Sequence, residues 1–168
     1  LKIVTFAENS KLSEISYCAF CTSAIEKITI PKNVKIIDKS AFSDCINLQH
    51  FDFEDGSMIE VIDSYVFRST SIQNFQVPSS VKEIKEGSFF LSNLRSIEFE
   101  ENSKLEFIDG GSFSNTHLNE IIIPSRTYLD QTWLSGANNL LKISVSPKNN
   151  RIKCIENSMI LTKSNPTI

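Results

Sequence analysis

Apolar residues recur along the chain as Leu/Ile-x-x-Ile/Phe-x-Ile/Phe/Val, in units that start at Leu1, Ile25, Leu48, Ile72, Leu94, Leu118 and Leu140. Successive starts lie 22 to 24 residues apart. In an extended strand the fourth and sixth residues of this pattern share one face with the core, and the third and fifth point the other way. Later in each unit comes a second apolar element: Ala19-Phe20, Ala41-Phe42, Val66-Phe67, then Phe89 after Ser88 and Phe113 after Ser112. The stretch from Ile37 to Phe42 reads as a short helical turn on the side opposite the strands. Stacking the units should align Phe20, Phe42, Phe67, Phe89 and Phe113 as an internal aromatic ladder.

The units alternate in kind. Those starting at Ile25, Ile72 and Leu118 follow their strand with proline (Pro31, Pro78, Pro124), whereas those at Leu1, Leu48 and Leu94 continue into acidic turns beginning at Glu8, Glu54 and Glu100. The acidic kind needs nine residues from strand end to the next core Ile, as from Phe53 to Ile62; the proline kind needs seven, as from Ile30 to Ile37. The higher-order step is therefore two units.

One short strand per 20 to 29 residues is the signature of a leucine-rich repeat, in which no unit buries its own apolar face and stability comes from neighbours. The expected architecture is an α/β repeat solenoid spanning residues 1–168 as one domain, with a parallel concave sheet and short helical turns or loops on the convex side. The run from Ile25 to Cys45, Ile-x-x-Ile-x-Ile-Pro-x-x-Val-x-x-Ile-x-x-x-Ala-Phe-x-x-Cys, resembles the BspA-like leucine-rich repeat, and Ile72 to Phe89 repeats it. The resemblance covers essentially the whole chain. It implies a cell-surface or secreted protein that binds host matrix proteins, host cells or other microbes. Two units depart from the pattern: Trp133-Leu134 replaces Ala-Phe in one, and Met159-Ile160 stands in the last. Neither end shows a polar cap, which suggests a fragment of a longer chain or end-to-end self-association.

A net charge of −3 leaves no excess of Lys and Arg to neutralise phosphates, so nucleic acid is not an expected partner. No apolar run approaches the roughly 18 residues needed to span a bilayer. Cys18-Ala19-Phe20-Cys21 is a C-x-x-C pair, but zinc would need two more ligands and no second pair exists. In register Cys18 takes the slot of Ser40, and Cys45 that of Thr70, Ser92 and Thr116; these read as small, half-buried positions. His50 and His117 have no nucleophile or carboxylate partner by spacing, and no glycine-rich phosphate loop is present. No metal, no cofactor and no enzymatic activity are expected.

What remains informative is the outward strand surface. The third-position row includes Lys27, His50, Asn74, Ser96 and Glu120; the fifth-position row includes Thr29, Asp52, Gln76 and Glu98; Glu54 follows a strand. Most surface charges are only solvated, yet Asp52, Glu54, Glu98 and Glu120 on one concave face form an acidic patch that would steer a basic protein partner. The expected function is adhesion: a non-enzymatic protein-binding module at the cell surface or secreted, engaging host extracellular matrix or host cells. An intracellular scaffold using the same face is the alternative.

Overall fold

The computed structural model describes residues 2–148, 152–155 and 158–161. The chain winds as a parallel β-solenoid of about six turns. Each turn contributes one strand to each of two faces, so odd and even strands alternate along the sequence. The odd strands are β1 (Ile3–Val4), β3 (Lys27–Ile30), β5 (His50–Phe53), β7 (Asn74–Val77), β9 (Ser96–Phe99), β11 (Glu120–Ile123) and β13 (Lys142–Val145). The even strands are β2 (Glu14–Ile15), β4 (Ile36–Ile37), β6 (Val61–Ile62), β8 (Glu83–Ile84), β10 (Phe107–Ile108) and β12 (Tyr128–Leu129).

The even strands form one unbroken parallel sheet in the order β12-β10-β8-β6-β4-β2. The odd face is segmented into β1-β3-β5, β7-β9 and β11-β13. In β3, Ile28 and Ile30 are buried while Lys27 and Thr29 are exposed, and β7 and β11 repeat this alternation. The inward and outward positions read from the repeat are therefore as observed.

The expected helical turns are absent: the described residues contain no helix, and a third face of stacked turns takes their place. In the stacked turns of the first five coils two residues, four apart, sit in the left-handed region. Ser40 and Asp44 do so in one coil (φ 59° each), and Tyr65 and Ser69 in the next (58° and 56°). Such residues interrupt an α-helix. Backbone donors then split into two sets. Ala41 and Ser43 bond three residues back, to Asp38 and Ser40, whereas the N–H groups of Ser40, Phe42 and Asp44 donate to Ser64, Val66 and Arg68 of the next coil. This ladder satisfies the turn backbone between coils, as a sheet would.

Between the three faces lies the core. Phe20, Phe42, Phe67, Phe89 and Phe113 stack in order with centroids 5.1, 6.1, 5.1 and 5.4 Å apart and near-parallel rings. Trp133 ends this ladder edge-on to Phe113 at 6.0 Å. Phe51 and Phe75, from the fourth strand position, meet it edge-on or tilted from the odd face. The last repeat start does give a strand, β13, parallel to β11. Beyond it the described residues do not continue the parallel pattern. β14 (Ile152–Ile155) pairs antiparallel with β15 (Ser158–Leu161), so Met159 and Ile160 stand in an antiparallel strand pair. Leu1 lies outside the described residues.

Candidate functional site

The odd face carries most of the residues singled out from sequence. Lys27, Thr29, His50, Asp52, Asn74, Gln76, Glu98 and Glu120 are all exposed, and Ser96 is half-exposed. Strand pairing sets them side by side: Lys27 by His50, Thr29 by Asp52, Asn74 by Ser96, Gln76 by Glu98. Glu120 is paired in register with Lys142. The breaks between β5 and β7 and between β9 and β11 divide these residues into three groups rather than one continuous sheet. Ile3 and Ile122 share the surface, 59% and 61% exposed.

Glu54 is placed differently. Its carboxylate lies over the turn after the strand and accepts the backbone N–H of Lys32 at 3.0 Å. Glu100 accepts that of Ser79 at 2.8 Å in the same way. Glu54 and Glu100 thus each reach back one coil to hold the N–H that follows Pro31 or Pro78. The two extra residues of the acidic turn are accommodated by left-handed Gly56 and Asn102 (φ 77° and 58°). Within these turns Ser57 and Ser103 Oγ accept the N–H groups of Ile59 and Leu105.

Cys18 and Cys21 are half-buried and joined by a disulfide, with Cα atoms 4.8 Å apart, across one turn of the stacked face. Cys45 is buried and donates from Sγ to the Phe20 carbonyl at 2.9 Å. Burial pushes its thiol above the ordinary range, so it is held in the neutral form. Among the described residues no three His, Cys, Asp or Glu side chains converge as a metal site. No helix in them is long and apolar enough to cross a membrane.

Sequence reasoning missed the even face as a surface. Its strands are two residues long, too short for a period-two pattern to register. Their first residues point outward: Glu14, Ile36, Val61, Glu83, Phe107 and Tyr128. Ile36 is 50% and Tyr128 48% exposed, and Phe107 stacks flat on Tyr128 at 5.4 Å. The residues just before the strands alternate in charge over four coils: Lys35, Glu60, Lys82, Glu106. Lys82 pairs with Glu60 at 2.9 Å. Hydrogen bonding to Lys82, its charge, and the fields of Lys104 and Lys35 together hold the Glu60 carboxyl below the usual range.

The chain matches the BspA-type leucine-rich-repeat region across residues 13–141 and 60–164, in six copies. No curated protein is significantly similar in sequence. Three solved structures share the fold. The pneumococcal vaccine antigen PcpA is 22% identical with a TM-score of 0.83, over 89% of this chain and 40% of that one. A leucine-rich cell surface protein of Faecalibacterium prausnitzii is 16% identical with a TM-score of 0.65, over 97% and 52%. A leucine-rich-repeat protein of Eubacterium ventriosum is 22% identical with a TM-score of 0.56, over 91% and 34%. The chain thus spans about half or less of each of these proteins. With this sequence match over most of its length, the chain belongs to the BspA-type leucine-rich-repeat family.

Proposed function

We propose that the odd-strand face is a protein-binding surface and that the chain acts as an adhesion module, at the cell surface or secreted, engaging a host matrix protein or host cell receptor. The observation that carries this reading is the run of outward positions on β3, β5, β7, β9 and β11. Their side chains are exposed or half-exposed, and no hydrogen bond or ion pair among the described residues holds them. Asp52, Glu98 and Glu120 lie across the middle of this run, with Lys27 and Lys142 toward its ends. Such an arrangement favours a partner with basic residues and raises its association rate at low salt. A stable contact needs about 800 Å² on each partner, and neighbouring strands presenting two side chains each can supply it. The family to which the chain belongs and the descriptions of its structural neighbours as a vaccine antigen and a cell surface protein support the surface location.

The test is binding of the chain to immobilised fibronectin, laminin and host epithelial cells, with Asp52→Lys/Glu98→Lys alongside. Because both residues face water, the double variant is expected to fold within about 0.5 kcal/mol of the parent. Binding that falls on charge reversal and weakens with salt supports the reading. Equal binding by both forms rules out the acidic face, and no binding by either rules out these partners.

A further inference from the structure

The even face has a charge order with a property of its own. In the slot just before each even strand, proline units supply Lys35 and Lys82 and acidic units supply Glu60 and Glu106, so the sign alternates from coil to coil. A row reading plus, minus, plus, minus becomes its own complement when reversed. We propose that the even face packs against the same face of a second copy of this chain. The two-fold axis lies in the interface, parallel to the strands, between the coils of β6 and β8.

Under that symmetry each slot meets its own row in reverse coil order. Lys35 faces Glu106 of the second copy and Glu60 faces Lys82, each pair occurring twice. All four charges of the row are matched by opposites. The next row, one residue along the chain, brings the exposed Ile36 onto Phe107 and the Tyr128 ring beside Glu14. Its central pair, Val61 with Glu83, adds little. In the row beyond, Asp63 meets Lys85. Asp38 meets Asp109 there, a like-charge pair that offsets the Asp63–Lys85 match, so the first row of four charges carries the complementarity. Shifting the axis by half a coil would set Lys82 against its own copy and Glu60 against Glu106, and shifting it by a whole coil would match only two of the four charges, so the full set of four favours the register centred between β6 and β8. An isologous contact of this kind closes at two copies, and it leaves the odd faces free.

The contact can be tested without confusing it with folding. Lys35 and Glu106 stand three coils apart in one chain, roughly 14 Å at about 4.8 Å per strand, and neither forms an ion pair among the described residues. Any compensation between them is therefore between copies. Sedimentation velocity of the 168-residue chain at rising concentration should show a dimer that weakens in high salt. Lys35→Glu and Glu106→Lys should each weaken it by about tenfold, since each change turns two attractive pairs repulsive. The double variant Lys35→Glu/Glu106→Lys should restore the parent behaviour, and circular dichroism should be the same for all four proteins. A parent chain that stays monomeric to submillimolar concentration overturns the proposal. So does a dimer indifferent to the single reversals, or one that the double variant fails to restore.

Discussion

Phe67 shows most directly how one residue supports its neighbours here. It is fully buried, stacks between Phe42 and Phe89, and is met by Phe51 and Phe75 from the odd face. Phe67→Ala should cost about 3–5 kcal/mol, because a rung removed from the ladder leaves a cavity that flanking coils cannot close; denaturant unfolding measures it, and a loss under about 1 kcal/mol would mean the ladder does not bear on stability. Glycine matters at two positions for different reasons. Gly56 adopts φ 77° with nothing within 4 Å of where a Cβ would stand. Gly87 adopts φ 60°, and a Cβ there would stand 2.3 Å from the Tyr65 ring, whose hydroxyl donates to Glu86. Gly56→Ala should cost only the left-handed penalty of about 1–2 kcal/mol. Gly87→Ala should cost about 1 kcal/mol more, as the ring swings away and gives up its hydrogen bond. Equal losses in the two variants would show that the ring moves freely.

At the scale of elements, the coil is held in register by contacts between one unit and the next. Glu54 holding the Lys32 N–H is an example, and Glu54→Ala should lower stability by about 0.5–1 kcal/mol, read in the same unfolding experiment against Glu101→Ala, an exposed neighbour in the following acidic turn. That role was not legible from the sequence, which placed Glu54 with the binding residues. A residue just after a strand looks identical in sequence whether its side chain faces a partner or turns back one coil. The strand pattern was legible because period-two alternation over four residues recurs in register from unit to unit, and β3, β7 and β11 carry it in full. Turns with the Ala-Phe pair were misread as helical, since apolar spacing of three and four fits a helical turn as well as stacked turns. What separates the two is the left-handed conformation of Ser40, Asp44, Tyr65 and Ser69, and non-glycine side chains give little sign of it. The even face escaped notice for a related reason: one outward residue per coil makes no pattern until the coils are stacked. Its Lys35–Glu60–Lys82–Glu106 order comes from the same alternation of proline and acidic units that places Glu54 and Glu100.

For the whole molecule, a stack in which each coil touches only its neighbours should lose structure from an end rather than all at once. Both ends have apolar side chains that are only partly covered: Val4, Phe6, Leu12 and Phe20 in the first coil, and Leu134, Leu140, Ile143 and Val145 toward the last. The Cys18–Cys21 disulfide closes one turn of the first coil, where stacked bonds run to one side only, from Cys18, Phe20 and Thr22 to Lys39, Ala41 and Ser43. Amide hydrogen exchange should therefore be slowest at Phe42, Phe67 and Phe89, which donate to the next coil in the middle of the stack, and faster at Cys18, Phe20 and Thr22. Reducing the disulfide should speed exchange in the first coil and leave the central amides nearly unchanged, because the constraint is local and the coupling between coils falls off with each interface. Uniform protection from first coil to last, or a reduction effect that reaches Phe89, would mean instead that the solenoid unfolds as one cooperative unit. Charge reversal on the odd face would then be felt throughout the stack, and binding and stability could not be varied independently.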